Sequence, residues 1–436
     1  MTLRRGLCPG IATPMQTGDG LLARLAPSAP IPVHAFIALC EASERNGNGI
    51  VEVTQRGSIQ IRGLTPSSAP DFARRVESLG LGAEDRPTLL QPPLLGIDAT
   101  ATVDLQPLIA ELRLAVSNRP YLDSLGPKVS ILLDGDGELH LDAIAADIRL
   151  RSTTAEDLHV SIGGNAHDSV ALGWIKADQA MATVDELLAL IAAAGRDARG
   201  KHLVTGQLAN GIDVDTLRAR LDCRTAPPLR PLAEPIGLHR LKGGRVALGI
   251  AFAFGHATNA SAQRVVHAAA DLGVTHIQPA PGRALLFVEL TTAAAHELAA
   301  IAATAGFIVT PHDPRRYVFA CAGSPACNSA AFSTRDLAPA VAIAAREWLD
   351  RSTTIHLSGC SKGCAHAAAA TLTLAGPGRL IVGGRAGDES NATLPPGELL
   401  DGLERLSGAL SRERSSVSRL GSARVIECLT GVTHNA

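Results

Sequence analysis

Aromatic side chains are scarce in this chain of 436 residues, at 3% of the total, and neither charge is in excess. With 40 basic and 42 acidic residues the formal net charge is −2. This balance argues against a general nucleic-acid-binding protein, which would need a basic surface. No apolar run approaches the roughly 18 residues that a membrane-spanning helix needs, so none is predicted. The core must therefore be built from Ala, Leu, Ile and Val, and a hydrophobic content of 46% is enough for a large one.

An export signal and a dinucleotide-binding fingerprint are also missing. The first residues, MTLRRGLCPGIATPM, are interrupted by Cys-Pro-Gly and Thr-Pro instead of forming an apolar stretch. No Gly-x-Gly-x-x-Gly segment opens a helix after a strand, so no bound nicotinamide or flavin dinucleotide is predicted. These absences predict a cytoplasmic protein. In that reducing compartment, clustered cysteines are more often metal ligands or catalytic thiols than disulfides.

The chain contains an internal repeat. Residues 18–82 align with residues 244–308 at a constant offset of 226 and without a gap. Each copy has the pattern strand, helix, strand, strand, helix. In the first copy Phe36, Leu39 and Cys40 have the spacing of one helix face. This order predicts an α+β fold with duplicated ferredoxin-like half-domains.

A weaker similarity follows each copy, because Asp104 and Asp336 both open a helix that precedes a β-rich stretch. The chain is thus expected to form two pseudo-equivalent halves, joined by the Pro-rich segment 225–237, which is typical of a linker. The halves are expected to pair about a pseudo-twofold axis and leave a cleft between them. The predicted domains are half-domains at 1–82 and 238–308, and larger domains at 83–224 and 309–436.

Four of the eight cysteines are clustered in the second half, with the spacings Cys-x5-Cys and Cys-x3-Cys: Cys321, Cys327, Cys360 and Cys364. Thiolates suit zinc or an iron–sulfur cluster. Structural zinc usually uses Cys-x2–4-Cys, so the first spacing is too wide for it. Small flanking residues let backbone N–H groups approach cluster sulfurs. The pattern favours a 4Fe–4S cluster on the four cysteines, with zinc, or buried cysteines that bind nothing, as the alternatives.

The cysteine pattern, with Gly-Cys-x2-Gly-Cys at its end, resembles the signature of the siroheme-dependent sulfite and nitrite reductase family. The segment LAGPGRLIVGGRAGD at 374–388 is similar to the stretch that follows the cysteines in that family. The resemblance implies two pseudo-equivalent α/β sulfite-reductase-like domains, packed with the half-domains around a central cleft. Domain 309–436 would hold the cluster.

The N-terminal run RRGLCPGIATPMQTGDGLLARL resembles that of the precorrin-3B synthase branch of this family. This resemblance implies a monooxygenase-type oxidoreductase that hydroxylates the tetrapyrrole precorrin-3A and closes a lactone on it in aerobic cobalamin biosynthesis. Dioxygen would be the co-substrate. Electrons would come from a reduced nicotinamide cofactor or a separate redox protein and arrive through the cluster. The alternatives are a siroheme-dependent sulfite or nitrite reductase and a scaffold that only binds tetrapyrroles. An additional non-haem iron and siroheme stay open as further cofactors, with siroheme the less favoured.

Basic residues are needed to bind the carboxylates of a tetrapyrrole, and arginine binds a carboxylate through two hydrogen bonds. The segment TQRGSIQIRG resembles the part of the reductases that turns an arginine toward the macrocycle, which makes Arg56 and Arg62 candidates. Lys128, one of five lysines, resembles a family lysine at a strand entry. Arg283 occupies the matched turn of the second copy, one residue out of step with Arg56, and is expected to have a different role. The sequence assigns no catalytic acid or base.

Overall fold

The computed structural model describes residues 9–82, 86–204 and 214–432. The first residues of the N-terminal run, which supports the branch assignment, lie outside this range, as does the predicted domain start at residue 83. The described chain forms four five-stranded sheets with helices packed against them. None of the helices in the described ranges is long and apolar enough to cross a membrane.

The first repeat copy has the predicted element order, with two short strands in addition. Phe36, Leu39 and Cys40 are fully buried on one face of its first helix, so the helical interpretation of their spacing is confirmed. Sequence reasoning missed β1 and β3. The elements are β1 (Met15–Thr17), β2 (Gly20–Leu25), β3 (Ile31–Pro32), α1 (Val33–Asn46), β4 (Ile50–Val53), β5 (Ile59–Leu64) and α2 (Ala69–Ser78).

The next region forms a sheet whose first three strands are parallel and whose last two are antiparallel. Its first helix starts two residues after Asp104, as predicted, and buries Ile109 and Leu112 in the core of this region. The elements are β6 (Thr88–Leu90), α3 (Gln106–Val116), β7 (Ser130–Asp134), β8 (Ala146–Ser152), β9 (Asp157–Gly164), β10 (Val170–Lys176), α4 (Ala180–Ala193), α5 (Gly200–Val204) and α6 (Val214–Arg218).

The second repeat copy follows the first element by element. Its helices are capped by Thr258 and Thr291, whose side chains accept hydrogen bonds from the backbone N–H groups of Ser261 and Ala294. The elements are β11 (Gly237–Arg240), β12 (Val246–Ala251), β13 (His256–Thr258), α7 (Asn259–Asp271), β14 (His276–Ala280), β15 (Ala284–Leu290) and α8 (Thr292–Thr304). The helices α1 and α7 start 226 residues apart, as do the strands β4 and β14.

The two copies exchange a strand. β13 of the second copy pairs with β4 of the first, and β3 of the first copy pairs with β14 of the second. The hydrophobic side chains of both copies form one core, which includes Phe36, Phe72 and Phe287. The half-domains are therefore joined through reciprocal backbone pairing as well as through apolar contacts, in agreement with the predicted pseudo-twofold arrangement.

The C-terminal region repeats the strand order of the region around β6–β10, with three parallel strands followed by two antiparallel ones. The larger domains are therefore duplicated as well. The elements are β16 (Val318–Ala320), α9 (Thr334–Ala344), β17 (Ile355–Ser358), β18 (Ala370–Ala375), β19 (Arg379–Gly384), β20 (Ala392–Thr393), α10 (Leu399–Glu413), α11 (Val417–Leu420) and α12 (Ser422–Thr430). The α+β fold class with duplicated half-domains is confirmed.

Segment 225–237 connects the halves without helix or strand until β11 begins, but it is not a loose tether. Arg230 donates hydrogen bonds from Nη2 to Asp134, at 2.6 Å, and to Asp142, at 2.5 Å. Further along, the Glu234 carboxylate accepts hydrogen bonds from Arg316, at 2.8 Å, and from Arg351, at 2.5 Å. The segment is thus a strap that is fixed to both larger domains.

Candidate cluster site

The four cysteines lie on the two loops that leave the carboxyl ends of β16 and β17. These strands are parallel neighbours, so their carboxyl ends meet at the same edge of the sheet. Cys321 directly follows β16, and Cys360 is the second residue after β17. The backbone N–H of Gly359 donates to Cys321 Sγ at 3.2 Å, which ties the two loops together. The fold therefore brings the two cysteine pairs to one place, as the sequence predicted.

The spacing of the sulfurs is wider than a single zinc ion requires. Zinc–sulfur bonds of about 2.3 Å put the sulfurs of a tetrahedral site about 4 Å apart. Among the described residues no three of the four cysteine sulfurs lie within 4.8 Å of one another. Cys321 and Cys360 are nevertheless close enough to Cys364 that their thiols, together with burial, raise its pKa. This set of soft donors around a larger space fits a cluster better than one metal ion.

Small residues are needed where the chain approaches these sulfurs. A Cβ on Gly18 would lie 2.3 Å from Cys327 Sγ, and a Cβ on Gly359 would lie 2.5 Å from the Cβ of Ala330. Gly18 belongs to the β1–β2 turn of the first half-domain, and its carbonyl accepts a hydrogen bond from the N–H of Asn328 at 3.0 Å. The turn of one domain thus covers the cysteine loops of another.

Arg62 lies beside this site, but its charge is shared with two carboxylates. Its Nε and Nη2 donate to Asp19 at 2.6 and 2.7 Å, and its Nη1 is 3.4 Å from Glu52. Glu52 also accepts a hydrogen bond from Arg335 at 3.0 Å. Arg62 is one of the charges that act on the Cys364 thiol. Its ion pairs fix the β1–β2 turn over the cysteine loops.

The other predicted basic residues lie in different surroundings. Arg56 is exposed, and its guanidinium donates to the Ala145 carbonyl at 2.6 Å, which joins the first half-domain to the neighbouring larger domain. Lys128 is exposed two residues before β7 begins. The structure thus brings Arg62 next to the cysteines and leaves Arg56 and Lys128 at exposed positions. Substrate binding by these three residues stays a prediction.

A column of side chains runs from the cysteine loops to a cavity of about 330 Å³. The guanidinium of Arg283 lies 4.8 Å from the ring centroid of Phe319 and donates to the carbonyl of Ala365, next to Cys364, at 2.7 Å. Phe319 in turn stacks on His366 with the centroids 4.2 Å apart. Arg283 and Phe319 line the cavity together with Tyr317, which precedes β16. The cavity therefore opens at the amino ends of β16 and β17, beyond this column and away from the sulfurs.

In the first half of the chain, a hydrogen-bond network occupies the loops that correspond to the cysteine loops. Asp98, in the loop after β6, is 3% exposed, and its carboxylate accepts from the N–H and hydroxyl of Thr100, both at 2.7 Å, and from the N–H of Glu138 at 2.8 Å. Asp136, in the loop after β7, accepts from the N–H of Thr102 at 3.0 Å. The two halves share a topology, but their loops have different chemistry.

Among the described residues, one group of side chains has the spacing of a single-metal site. It consists of Asp134, His140 and Asp142, whose ligand atoms lie within 4.8 Å of one another. The guanidinium of Arg230 bonds to both carboxylates, and Nε2 of His140 lies 2.8 Å from the Pro231 carbonyl. These atoms are already used to hold the strap. They do not fit an additional iron ion.

Comparison with known proteins decides the family. A model described as nitrite/sulfite reductase ferredoxin-like half domain matches residues 14–79. A precorrin-3B synthase from Sinorhizobium sp is 36% identical, and the match covers 97% of this chain and 94% of that protein. The chain belongs to the precorrin-3B synthase family. Its members are oxidoreductases, so the predicted enzyme class is confirmed.

Reductases resemble this member of the precorrin-3B synthase family more distantly. A ferredoxin–nitrite reductase of Leptolyngbya laminosa is 23% identical over 83% of this chain and 78% of that protein. The structure of the Mycobacterium tuberculosis NirA protein covers 93% of this chain and 83% of that chain, with a TM-score of 0.67 and 19% identity. The latter likeness supports the fold alone. Reductases of this wider family use siroheme and 4Fe–4S clusters.

Sequence reasoning missed several residues that shape the site of this precorrin-3B synthase family member. Asp19, Glu52 and Arg335 were not singled out, because isolated charged residues carry no signal until their partners are known. His356 is buried two strand positions before the second cysteine loop, and a lone histidine is equally inconspicuous. Arg283, by contrast, was identified from the sequence, because it occupies the matched turn of the second repeat copy.

The Asp19–Arg62 pair leads to a pH-dependent prediction. Burial would raise the pKa of Asp19, but Arg62 and Thr17 donate hydrogen bonds to it and hold the pKa below its ordinary value of 3.8. A depressed pKa gives stability that is fully present well above pH 3.8 and is lost as the pH falls through the folded-state value. Asp19→Asn should lower the free energy of unfolding by about 1.5–3 kcal/mol at pH 7.

Denaturant unfolding between pH 7 and pH 3 tests this, with Asp71→Asn as the control. The Asp71 side chain is 61% exposed and pairs with the exposed Arg74, so its loss should have little effect. The difference between wild type and Asp19→Asn should narrow as the pH falls below 3.8. A constant difference over the whole range would show that the carboxylate does not stabilise the fold through its charge.

Proposed function

We propose that the chain is a precorrin-3B synthase that hydroxylates precorrin-3A with dioxygen and closes a lactone on it, using a 4Fe–4S cluster held by Cys321, Cys327, Cys360 and Cys364. One observation carries the proposal: the four cysteines share one sheet edge in a chain that matches a precorrin-3B synthase over 97% of its length. The hydroxylation is on the meso carbon between rings D and A, and the lactone is formed from the ring A acetate. We also propose the domain boundaries 1–82, 83–224, 238–308 and 309–436, which the arrangement of one sheet per domain supports.

The cluster, when bound, supplies electrons one at a time from an external donor. The chain holds the two cysteine loops together through the Gly359–Cys321 hydrogen bond. The β1–β2 turn, fixed by Arg62 and Asp19, packs against Cys327, which is partly buried. Cys321 and Cys360 are also partly buried, and Cys364 is exposed.

The carboxylates of the tetrapyrrole need cationic partners, and we propose Arg56, Arg62 and Lys128 for this role. Arg56 and Lys128 are exposed and accessible to a ligand. Arg62 is 11% exposed and already pairs with Asp19 and Glu52, so its contribution to a further carboxylate is expected to be smaller. The electron donor is proposed to be a reduced nicotinamide cofactor or a separate redox protein, and the compartment a reducing cytoplasm.

Anaerobic incubation of the purified protein with precorrin-3A and a reductant, followed by admission of oxygen, tests the function. We expect no product before oxygen and a hydroxylated lactone afterwards, detected by mass as the addition of one oxygen atom to the hydroxylated position. Incubation with oxygen but without reductant is the control for uncatalysed oxidation. Binding of precorrin-3A without any oxygen-dependent product would identify the chain as a tetrapyrrole-binding scaffold instead.

The visible spectrum separates this function from that of a siroheme reductase. A 4Fe–4S protein without siroheme should have a broad shoulder, whereas an isobacteriochlorin gives strong, sharp visible bands. Sulfite and nitrite should not be reduced by the fresh protein. Strong siroheme bands together with sulfite or nitrite reduction would favour the reductase and contradict the proposal.

A further inference from the structure

His356 lies at the centre of the sheet that holds the cysteine loops. It is on β17, in parallel register with Phe319 on β16 and Thr373 on β18, so these three side chains share one face of the sheet. The imidazole of His356 is 0% exposed. Cys360 follows His356 by four residues in the sequence. The ring is therefore sealed beneath the second cysteine loop.

Neither ring nitrogen of His356 has a hydrogen-bond partner among the described residues. By contrast, Nε2 of the buried His239 lies 3.2 Å from the carbonyl of Pro235. A buried polar group without a partner is costly, and native proteins rarely keep one unless a bound group or an ordered water satisfies it. We therefore expect the hydrogen-bond partner of His356 to be a group that binds to the functional protein.

The edge of the ring that carries the nitrogens faces the cysteine loop. Cε1, which lies between Nδ1 and Nε2, is 3.7 Å from the position that a Cβ on Gly363 would take. Gly363 directly precedes Cys364, and its φ of +65° turns the loop back over β17. On another side the ring of His366 makes an edge contact, with the centroids 5.8 Å apart.

The protonation state of His356 suits a hydrogen-bond donor without charge. Burial lowers its pKa to about 4, helped by the nearby His366 and Arg283. At neutral pH the ring therefore carries one N–H donor and one unprotonated nitrogen. Such a donor can reach thiolate or sulfide without adding a buried charge, and hydrogen bonds to the sulfurs are one of the factors that set the reduction potential of an iron–sulfur cluster.

We infer that His356 donates an N–H hydrogen bond to a sulfur of the cluster and thereby raises its reduction potential. This inference rests on the proposed 4Fe–4S cluster. In this role His356 acts on the reduction potential of the cluster and does not touch the substrate. A structural role alone would change stability or cluster content but would leave the potential of the assembled cluster unchanged.

Two measurements on the complete protein test the inference. The first is pulsed EPR of the reduced cluster in protein labelled with 15N-histidine, which should show a nitrogen coupling in wild type. The coupling should vanish in His356→Asn. The second is an EPR-monitored redox titration, in which His356→Phe should have a lower potential, while His356→Asn, which keeps a donor, should stay close to wild type. The control is His159→Phe, since His159 is 7% exposed, lies in the cluster-free half and has a pKa lowered to about 4 as well.

The outcomes separate this inference from the proposed function. Wild-type protein without cluster iron, sulfide and EPR signal would overturn the proposed cluster and the inference with it. An intact cluster without a 15N coupling, or with a coupling that survives in His356→Asn, would overturn the inference alone. An unchanged potential in an assembled His356→Phe cluster would do the same. If His356→Phe does not assemble, the labelled wild type and His356→Asn decide.

Discussion

Replacement of Cys364 by serine is expected to leave a folded protein that contains little iron and no oxygen-dependent activity. Cys364 is one of the neighbouring thiols at the sheet edge, and serine offers a hard oxygen donor that is a poor substitute for a thiolate on an iron–sulfur cluster. With one ligand missing, the cluster should be lost during purification. Iron and sulfide analysis together with the loss of the broad visible shoulder would measure this, and the lactone-forming assay should fall to background.

Cys223→Ser is the matched control for this experiment. Cys223 is a free, exposed cysteine in the other larger domain, far along the chain from the four clustered cysteines. It should keep the iron content, the spectrum and the activity of wild type. Cys321→Ser should behave like Cys364→Ser, because the two thiols come from different loops of one site. Wild-type iron content and activity in either variant would show that the assigned ligand set is wrong.

The duplication could be read from the sequence because it depends on local patterns. The spacing of Phe36, Leu39 and Cys40 reports a helix face without knowledge of the rest of the chain, and the offset of 226 residues holds in the structure. The exchange of β3 and β13 could not be read in this way. β3 has two residues, too few for any periodicity, and its partner strand lies in the other repeat copy. Pairing between distant segments is decided by the whole fold.

The same distinction applies to the candidate site: its cysteines can be recognised from the sequence, whereas the roles of its arginines cannot. Cysteine has a narrow range of uses in a reducing compartment, so four clustered cysteines are informative by themselves. Arginine has many uses, and Arg62 is understood only once Asp19 and Glu52 are seen beside it. The same holds for Arg230, which looks like an ordinary linker residue in the sequence. In the structure its guanidinium lies between two carboxylates.

The unequal chemistry of the halves follows from the loops and leaves the shared topology intact. After β16 and β17 the chain presents four cysteine thiols, whereas after β6 and β7 it presents Asp98 and Asp136 with their own backbone and hydroxyl donors. Carboxylates that are satisfied within the protein need no bound group. Duplication can therefore yield one side that requires a cofactor and one that is complete without it, while the sheets of both sides stay alike.

The second large effect is expected from a substitution in the strap, residues 225–237. Arg230→Met should lower the free energy of unfolding by about 3–5 kcal/mol, because it removes the shared partner of two buried carboxylates. The Asp134 side chain is 0% exposed and that of Asp142 is 8% exposed, so water cannot replace the lost hydrogen bonds easily. Burial already raises the pKa of Asp134 despite Arg230, and without the guanidinium its charged form should be less stable still. Urea unfolding followed by circular dichroism measures the effect.

The same substitution should also free the strap from the larger domain. Residues 225–237 have no helix or strand before β11, so their fixed path depends on side-chain contacts such as those of Arg230 and Glu234. Limited proteolysis should therefore cut Arg230→Met within this segment well before wild type. Arg240→Met is the control, since Arg240 is exposed on β11 and its loss should change neither stability nor the cleavage pattern. Cleavage at the same rate in both variants would mean that the strap is held by its backbone and apolar contacts, and that the buried ion pairs serve only the domain beneath it.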